Sequence, residues 1–192
     1  SSRGPTRGAM VDAAGVRRID NLLKPDLVAP GNRMLGAMGT DKAGGVWPWL
    51  GATYRGNLPF NPNYPKSAVG TTLMYMSGTS VAAPVVAGAA ALLLQANPGL
   101  TPPLIKAILQ YTAQPIAGAN LLQQGAGLLN IEGAVKLAQA LRKDIAPGIA
   151  NGTITAGSPL LAAGASLPPP MSTLNGQTFA WSGFTVQGGR HI

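Results

Sequence analysis

GTSVAAPVVAGAAALLLQANPGLTP, Gly78 to Pro102, is the stretch on which the reading of this chain turns. From Val81 to Leu94 it holds no polar side chain. A helix facing water carries a polar face. This run therefore predicts a helix buried all round, or one that crosses a membrane. A span needs roughly 20 apolar residues. The run is shorter, contains Pro84 and is rich in Ala and Gly, so a core helix is expected and no membrane span. Ser80, the polar group at its mouth, is then expected deep in the protein at a helix N-terminus.

A serine hydroxyl is a weak nucleophile that needs a base for its proton and donors for the developing oxyanion. The stretch supplies part of this. Gly78 permits a sharp backbone turn, and a helix N-terminus offers N–H groups and a dipole that favours negative charge. Pro84 is expected near the first turn, where a missing N–H costs little. Ala82, Ala83, Ala87 and Gly88 let neighbouring backbone pack close. On Gly-Thr-Ser alone, a simple N-cap is the plainer reading.

The chain has 192 residues, enough for one ordinary domain. Apolar residues make up 46% and charged ones 10%, which favours a folded protein. Gly (26) and Pro (17) predict abundant loops. With no Cys, the chain has no disulfide, thiolate metal site or cysteine nucleophile. The net charge of +8 is scattered rather than clustered, with no basic helix carrying interleaved aromatics. A mildly basic, solvated surface is expected, and no nucleic-acid partner. The N-terminal SSRGPTRG has no apolar core of a signal peptide.

Ser1 to Ile19 reads as a loop. Asp26–Ala29 reads as a short buried strand ended by Pro30-Gly31. Asn32 to Lys66 reads as a long surface loop, with room for a hairpin, and Trp47, Trp49, Tyr54, Phe60 and Tyr64 serve to pin it to the body. Val69–Met76 reads as a strand. The long helix stops near Asn97-Pro98-Gly99. Thr101 and Pro102 open another, with Leu104, Ile105, Ile108 and Leu109 on one face. A turn and short strand follow at 125–130. Asn130 caps a third helix, in which Ile131, Ala134, Val135, Ala138 and Leu141 share a face. Residues 144–170 read as a Pro/Gly/Ala-rich linker, and 171–192 as the start of a small β unit.

Three segments then stand in a telling order: SSRGPT at Ser1–Thr6, KPDLVAPG at Lys24–Gly31 and GTSVAAP at Gly78–Pro84. Together they resemble the subtilisin-like serine proteases, whose serine signature is G-T-S-x-A-x-P. VAGAAALLLQANPGLTP and GAGLLNIEGAV are similar to that family's last helices. The resemblance covers about Ser1 to Leu141, the Asn32–Val69 stretch excepted. It implies an α/β fold: residues 1–143 would be the C-terminal part of a three-layer domain with a parallel sheet, followed by the Gly/Ala/Pro-rich tail. It also implies Ser80 as nucleophile of a serine endopeptidase acting on a protein or peptide substrate through an acyl-enzyme.

In the family the base His, the orienting Asp and the oxyanion Asn precede the serine. The single His of this sequence is His191, on the wrong side of Ser80 in family order, and it reads as a tail residue. The triad's Asp and His are thus expected from an upstream segment or a second chain. Of the acids Asp12, Asp20, Asp26, Asp41, Glu132 and Asp144, none is spaced as a metal site or carboxylate dyad, and Asp26 reads as structural. The resemblance requires no cofactor; it admits calcium, for which the sequence places no site. It further implies secretion. The Trp47–Tyr64 loop, lying just before the strand that leads to Ser80, is expected to border the cleft and shape leaving-group specificity. The competing reading is a catalytically incomplete fragment that acts as a structural or binding module.

Overall fold

A computed structural model describes residues 3–38, 49–58, 73–187 and 190–191. The chain divides into two compact units, Pro30–Pro84 and Ser1–Ala29 with Val85–Ile192. In chain order the elements are β1 (Ala9–Val11), β2 (Arg17–Ile19), β3 (Met34–Ala37), α1 (Trp49–Thr53), a 3-10 turn (Arg55–Asn57), β4 (Leu73–Met76), α2 (Thr79–Ala96), α3 (Pro102–Tyr111), α4 (Leu121–Gln124), α5 (Ile131–Ala140), α6 (Ile145–Ala150), β5 (Met171–Leu174), β6 (Gln177–Ala180), β7 (Val186–Gln187) and β8 (Arg190–His191).

In Pro30–Pro84, β3 pairs antiparallel with β4, Met34 opposite Met76 and Ala37 opposite Leu73. β3 thus lies within the stretch read as a long loop, and it pairs with β4, which lies within the segment Val69–Met76 read as a strand. Of the aromatic stretch expected to flank the cleft, residues 49–58 are described and Tyr54 is exposed, while Trp47, Phe60 and Tyr64 lie outside the described residues.

In the other unit the core gathers around α2, α3 and α5. Leu93, Leu100, Ile108, Leu109, Ala134 and Ala138 are buried together. Thr101 has the extended backbone of an N-cap (φ −95°, ψ 155°) with Pro102 at the first helical position, although its hydroxyl makes no capping bond. Asn130 does cap α5, its Oδ1 accepting from the Gly133 N–H at 3.1 Å. Leu137 joins the buried face of α5, while Ile131 is exposed. Asn97, at the end of α2, is fully buried. It donates from Nδ2 to the carbonyls of Ala138 (2.9 Å) and Leu141 (3.1 Å), and its Oδ1 accepts from the Gly99 N–H (3.0 Å). A buried polar group persists where its bonds are satisfied, and here one side chain ties the end of α2 to the end of α5.

Four expectations change. The N-terminal stretch holds the β1–β2 hairpin, pinned by the Thr6 hydroxyl donating to Asp20 (2.7 Å) and by the Asp12–Arg18 ion pair. The Asp26–Ala29 strand reduces to a bridge: Val28 pairs in parallel with Leu128, the only parallel pairing among the described residues, whose two-stranded sheets are all antiparallel. Among the described residues the expected parallel sheet is therefore represented by that bridge alone. Next, α2 is not buried all round. Only Ala89 and Leu93 along it are buried, and 11% of the helix is buried overall. Neighbouring elements cover one side, and Ala87, Gly88, Ala91, Leu92 and Leu94 face out. By length and composition α2 could cross a membrane.

The fourth concerns the tail. Residues 144–170 carry α6, and Ile145 and Ile154 enter the core at 1% and 5% exposure. Backbone bonds from Arg142 N–H to the Leu160 carbonyl and from Ala162 N–H to the Ala140 carbonyl, both 2.9 Å, run the segment along the body. Low-complexity composition hid two buried isoleucines and a local pairing. The β5–β6 hairpin turns at Asn175-Gly176, both with positive φ (49° and 77°), the dipeptide such a turn favours. Trp181 follows it, buried edge-on against Tyr111 with ring centroids 6.2 Å apart.

Candidate active site

Ser80 lies in the first turn of α2, and it is exposed rather than deep. The turn opens at Gly78, whose carbonyl accepts from the N–H groups of Val81 (3.1 Å) and Ala82 (3.2 Å). The Ser80 N–H belongs to the set that precedes the first intrahelical bonds, so it is available to an outside acceptor. Among the described residues its hydroxyl has no hydrogen-bond partner. A buried hydroxyl would need one; an exposed one is hydrogen-bonded by solvent.

Pro84, expected near the first turn, lies inside α2, just past that turn. With no N–H, it leaves the Ser80 carbonyl four residues back without its intrahelical donor. The backbone on both sides of the Ser80 side chain is thus partly freed from the helix ladder. Gly78 has φ 156°, and a methyl there would stand 3.4 Å from the Ser80 Oγ.

What holds this turn in place comes from 31–33. The Gly78 N–H donates to the Gly31 carbonyl at 2.8 Å. Gly31 must be glycine for the approach: a Cβ would fall 2.7 Å from the Gly78 carbonyl oxygen and 3.0 Å from Ala82 Cβ. The Ser77 hydroxyl donates to Asn32 Oδ1 at 3.0 Å and accepts from the Arg33 N–H at 2.8 Å. The APG and GTS motifs of the sequence are therefore in direct contact, and the contact sets the backbone that presents Ser80. Motif spacing foretold neither Ser77, Asn32 nor Arg33, because their bonds join positions more than forty residues apart.

The remaining candidates lie elsewhere. Asp26 accepts from Lys24, Lys106 and Gln110. Burial pushes its carboxyl up, but the two ammonium groups outweigh burial and hold it below the usual carboxylate range. Its role is to join the KPD segment to α3, as expected of a structural acid. Glu132 faces Lys136 and Ser172. Asp12 and Asp144 pair with arginines two to six residues away. The His191 side chain lies outside the described residues. Among those described, no three His, Asp or Glu side chains gather where a metal ion would sit, so no residues are assigned to calcium. An open apolar cavity of about 560 Å³, lined by Leu23, Pro115, Leu121, Leu122 and Phe184 among others, contains none of the predicted site residues.

A sequence model described as the subtilase family matches residues 1–135, which include Ser80 and the Gly31–Gly78 contact. The chain belongs to the subtilase family. The chain is 33% identical over 135 residues to serine protease AprX of Bacillus subtilis, a match spanning 70% of this chain and 24% of that protein. Subtilisin-like protease SBT2.5 of Arabidopsis thaliana is 36% identical over 131 residues, 68% of this chain and 14% of its own length. Subtilisin BL of Lederbergia lenta is 43% identical over 67 residues, 35% of this chain and 24% of its own. The chain thus spans a quarter or less of these relatives. Membership of the subtilase family implies an α/β fold.

Proposed function

We propose that this chain carries the nucleophile of a serine endopeptidase, and that the nucleophile is Ser80. The observation that supports it most is an exposed hydroxyl, without a partner among the described residues, in the first turn of an apolar helix within the stretch matched to the subtilases. The Ser80 Oγ attacks the scissile carbonyl carbon as a base takes its proton, and the oxyanion is met in part by the Ser80 N–H. The C–N bond breaks, the amine leaves with the proton, and water then hydrolyses the acyl-enzyme. The substrate is an extended segment of protein or peptide. The base, its orienting Asp and the oxyanion Asn come from the upstream segment of the same protease.

The exposed face of α2 supports that assembly. Leu92 and Leu94 are each 44% exposed beside Ala87, Gly88 and Ala91. A soluble surface rarely leaves such a contiguous apolar stripe uncovered. In this reading the upstream segment, with the parallel sheet of the three-layer domain, covers it. Secretion belongs to the same proposal and rests on the family resemblance.

The test is labelling of the intact protease with a fluorophosphonate, read by intact mass and peptide mapping, with Ser80→Ala as control. One adduct on Ser80, absent from the variant, is the expected result. A folded protease that takes up no probe at Ser80 would instead fit a structural or binding module.

A further inference from the structure

The Ser77 hydroxyl spends both its donor and its acceptor capacity on one distant stretch, donating to Asn32 Oδ1 (3.0 Å) and accepting from the Arg33 N–H (2.8 Å). The next residue adds a third bond, Gly78 N–H to the Gly31 carbonyl (2.8 Å). Three consecutive positions of one loop are thus sewn to two consecutive positions of the other. Arg33 has φ 50°, a region that a non-glycine residue keeps only when its surroundings hold it there. Two contacts do so: its N–H bond to Ser77, and its guanidinium 5.4 Å from the centroid of the Tyr75 ring. Tyr75 lies on β4, the strand that leads into Ser77. Ser77 and its two partners are all exposed, so this cluster adds little hydrophobic stability. Its bonds act on direction: they set the path of the backbone three residues before the Ser80 side chain.

We propose that Ser77 is a positioning residue for Ser80, bracing the nucleophile's loop against Asn32 and Arg33. The inference rests on the reading of Ser80 as nucleophile and adds what aims it. A hydroxyl is needed at 77 because one group must accept from a backbone N–H and donate to an amide oxygen at once. Alanine loses both bonds; threonine keeps them.

The experiment uses the intact protease with Ser77→Ala, Ser77→Thr and Asn32→Ala, each titrated with a fluorophosphonate so that rates are expressed per competent site. Small misplacement of a reacting atom costs rate steeply. The expected result for Ser77→Ala is a fall of about tenfold in kcat per titrated site and in labelling rate, with KM nearly unchanged. Ser77→Thr should restore most of it, and Asn32→Ala should fall by a smaller factor. A purely structural role would lower the number of competent sites and leave the rate per site alone. A wild-type rate per site in Ser77→Ala overturns the inference while leaving Ser80 as nucleophile. If Ser77→Ala does not fold, a wild-type rate per site in Asn32→Ala does the same. A wild type that takes no probe on Ser80 overturns the nucleophile reading, and this inference with it.

Discussion

The hydroxyls of Ser172 and Ser80 are treated in opposite ways. The Ser172 Oγ, 1% exposed, accepts from Asn130 Nδ2 and Trp181 Nε1, each at 2.9 Å, and donates to Glu132. Asn130 also caps α5 and donates to the Thr112 carbonyl (2.9 Å). The tail hairpin is fastened to α5 by a polar knot in which every group named is satisfied. Ser80 is exposed, its hydroxyl has no partner among the described residues, and it sits in the first turn of α2 behind a loop held by Ser77 and Gly78. One region uses a serine to hold the fold together, since burial makes an unpaired hydroxyl expensive. The other leaves a serine hydroxyl without a partner among the described residues, as the nucleophilic role proposed for Ser80 requires.

The sharpest way to break this contrast is Trp181→Ala. It removes a large buried ring, its edge contact with Tyr111 and a donor to Ser172. Denaturant unfolding of the intact protease should show a loss of about 3–5 kcal/mol, with rate per titrated site preserved. A loss below about 1 kcal/mol would make the tail an appendage.

Next in size is Leu92→Ala, on the outward face of α2. If the upstream segment covers that face in the intact protease, the change should cost about 2 kcal/mol or more. An effect within about 0.5 kcal/mol would mean the face stays open to solvent and would remove the support α2 lends to the assembly.

The smallest effect is one of pH. The Lys136 ammonium, and after it the Ser172 hydroxyl, hold Glu132 below the ordinary carboxylate range, against a weaker opposing pull from burial. A depressed folded pKa contributes stability that is fully present above the ordinary Glu value of about 4.3 and is lost as pH falls through the folded value. The stability difference between wild type and Glu132→Gln should therefore be steady near pH 6 and shrink below about pH 4. A difference that stays flat on acidification would show that the Glu132 charge plays no part in the knot.

Much of this was legible along the chain because its causes are local. Pro102 after Thr101 starts α3, Asn130 caps α5, and Asn97-Pro98-Gly99 ends α2: each depends on the backbone habits of a few adjacent residues. The same holds for the motif that singled out Ser80. Tail composition misled for the opposite reason. Gly, Ala and Pro suggest a linker, but whether Ile145, Ile154 and Trp181 are buried depends on what they meet, and they join a core cluster that includes Leu93 of α2 and Ile108 and Leu109 of α3.

The sequence by itself determined which serine stands at the mouth of the long apolar helix, because a G-T-S turn before an apolar run is written in consecutive positions. Only the tertiary structure decided that Ser80 stands exposed, that α2 shows an uncovered apolar face, and that Ser77 is held by Asn32 and Arg33. Those are relations between distant segments, and a hydrogen bond spanning 44 positions follows from how the chain returns on itself, which no local pattern encodes.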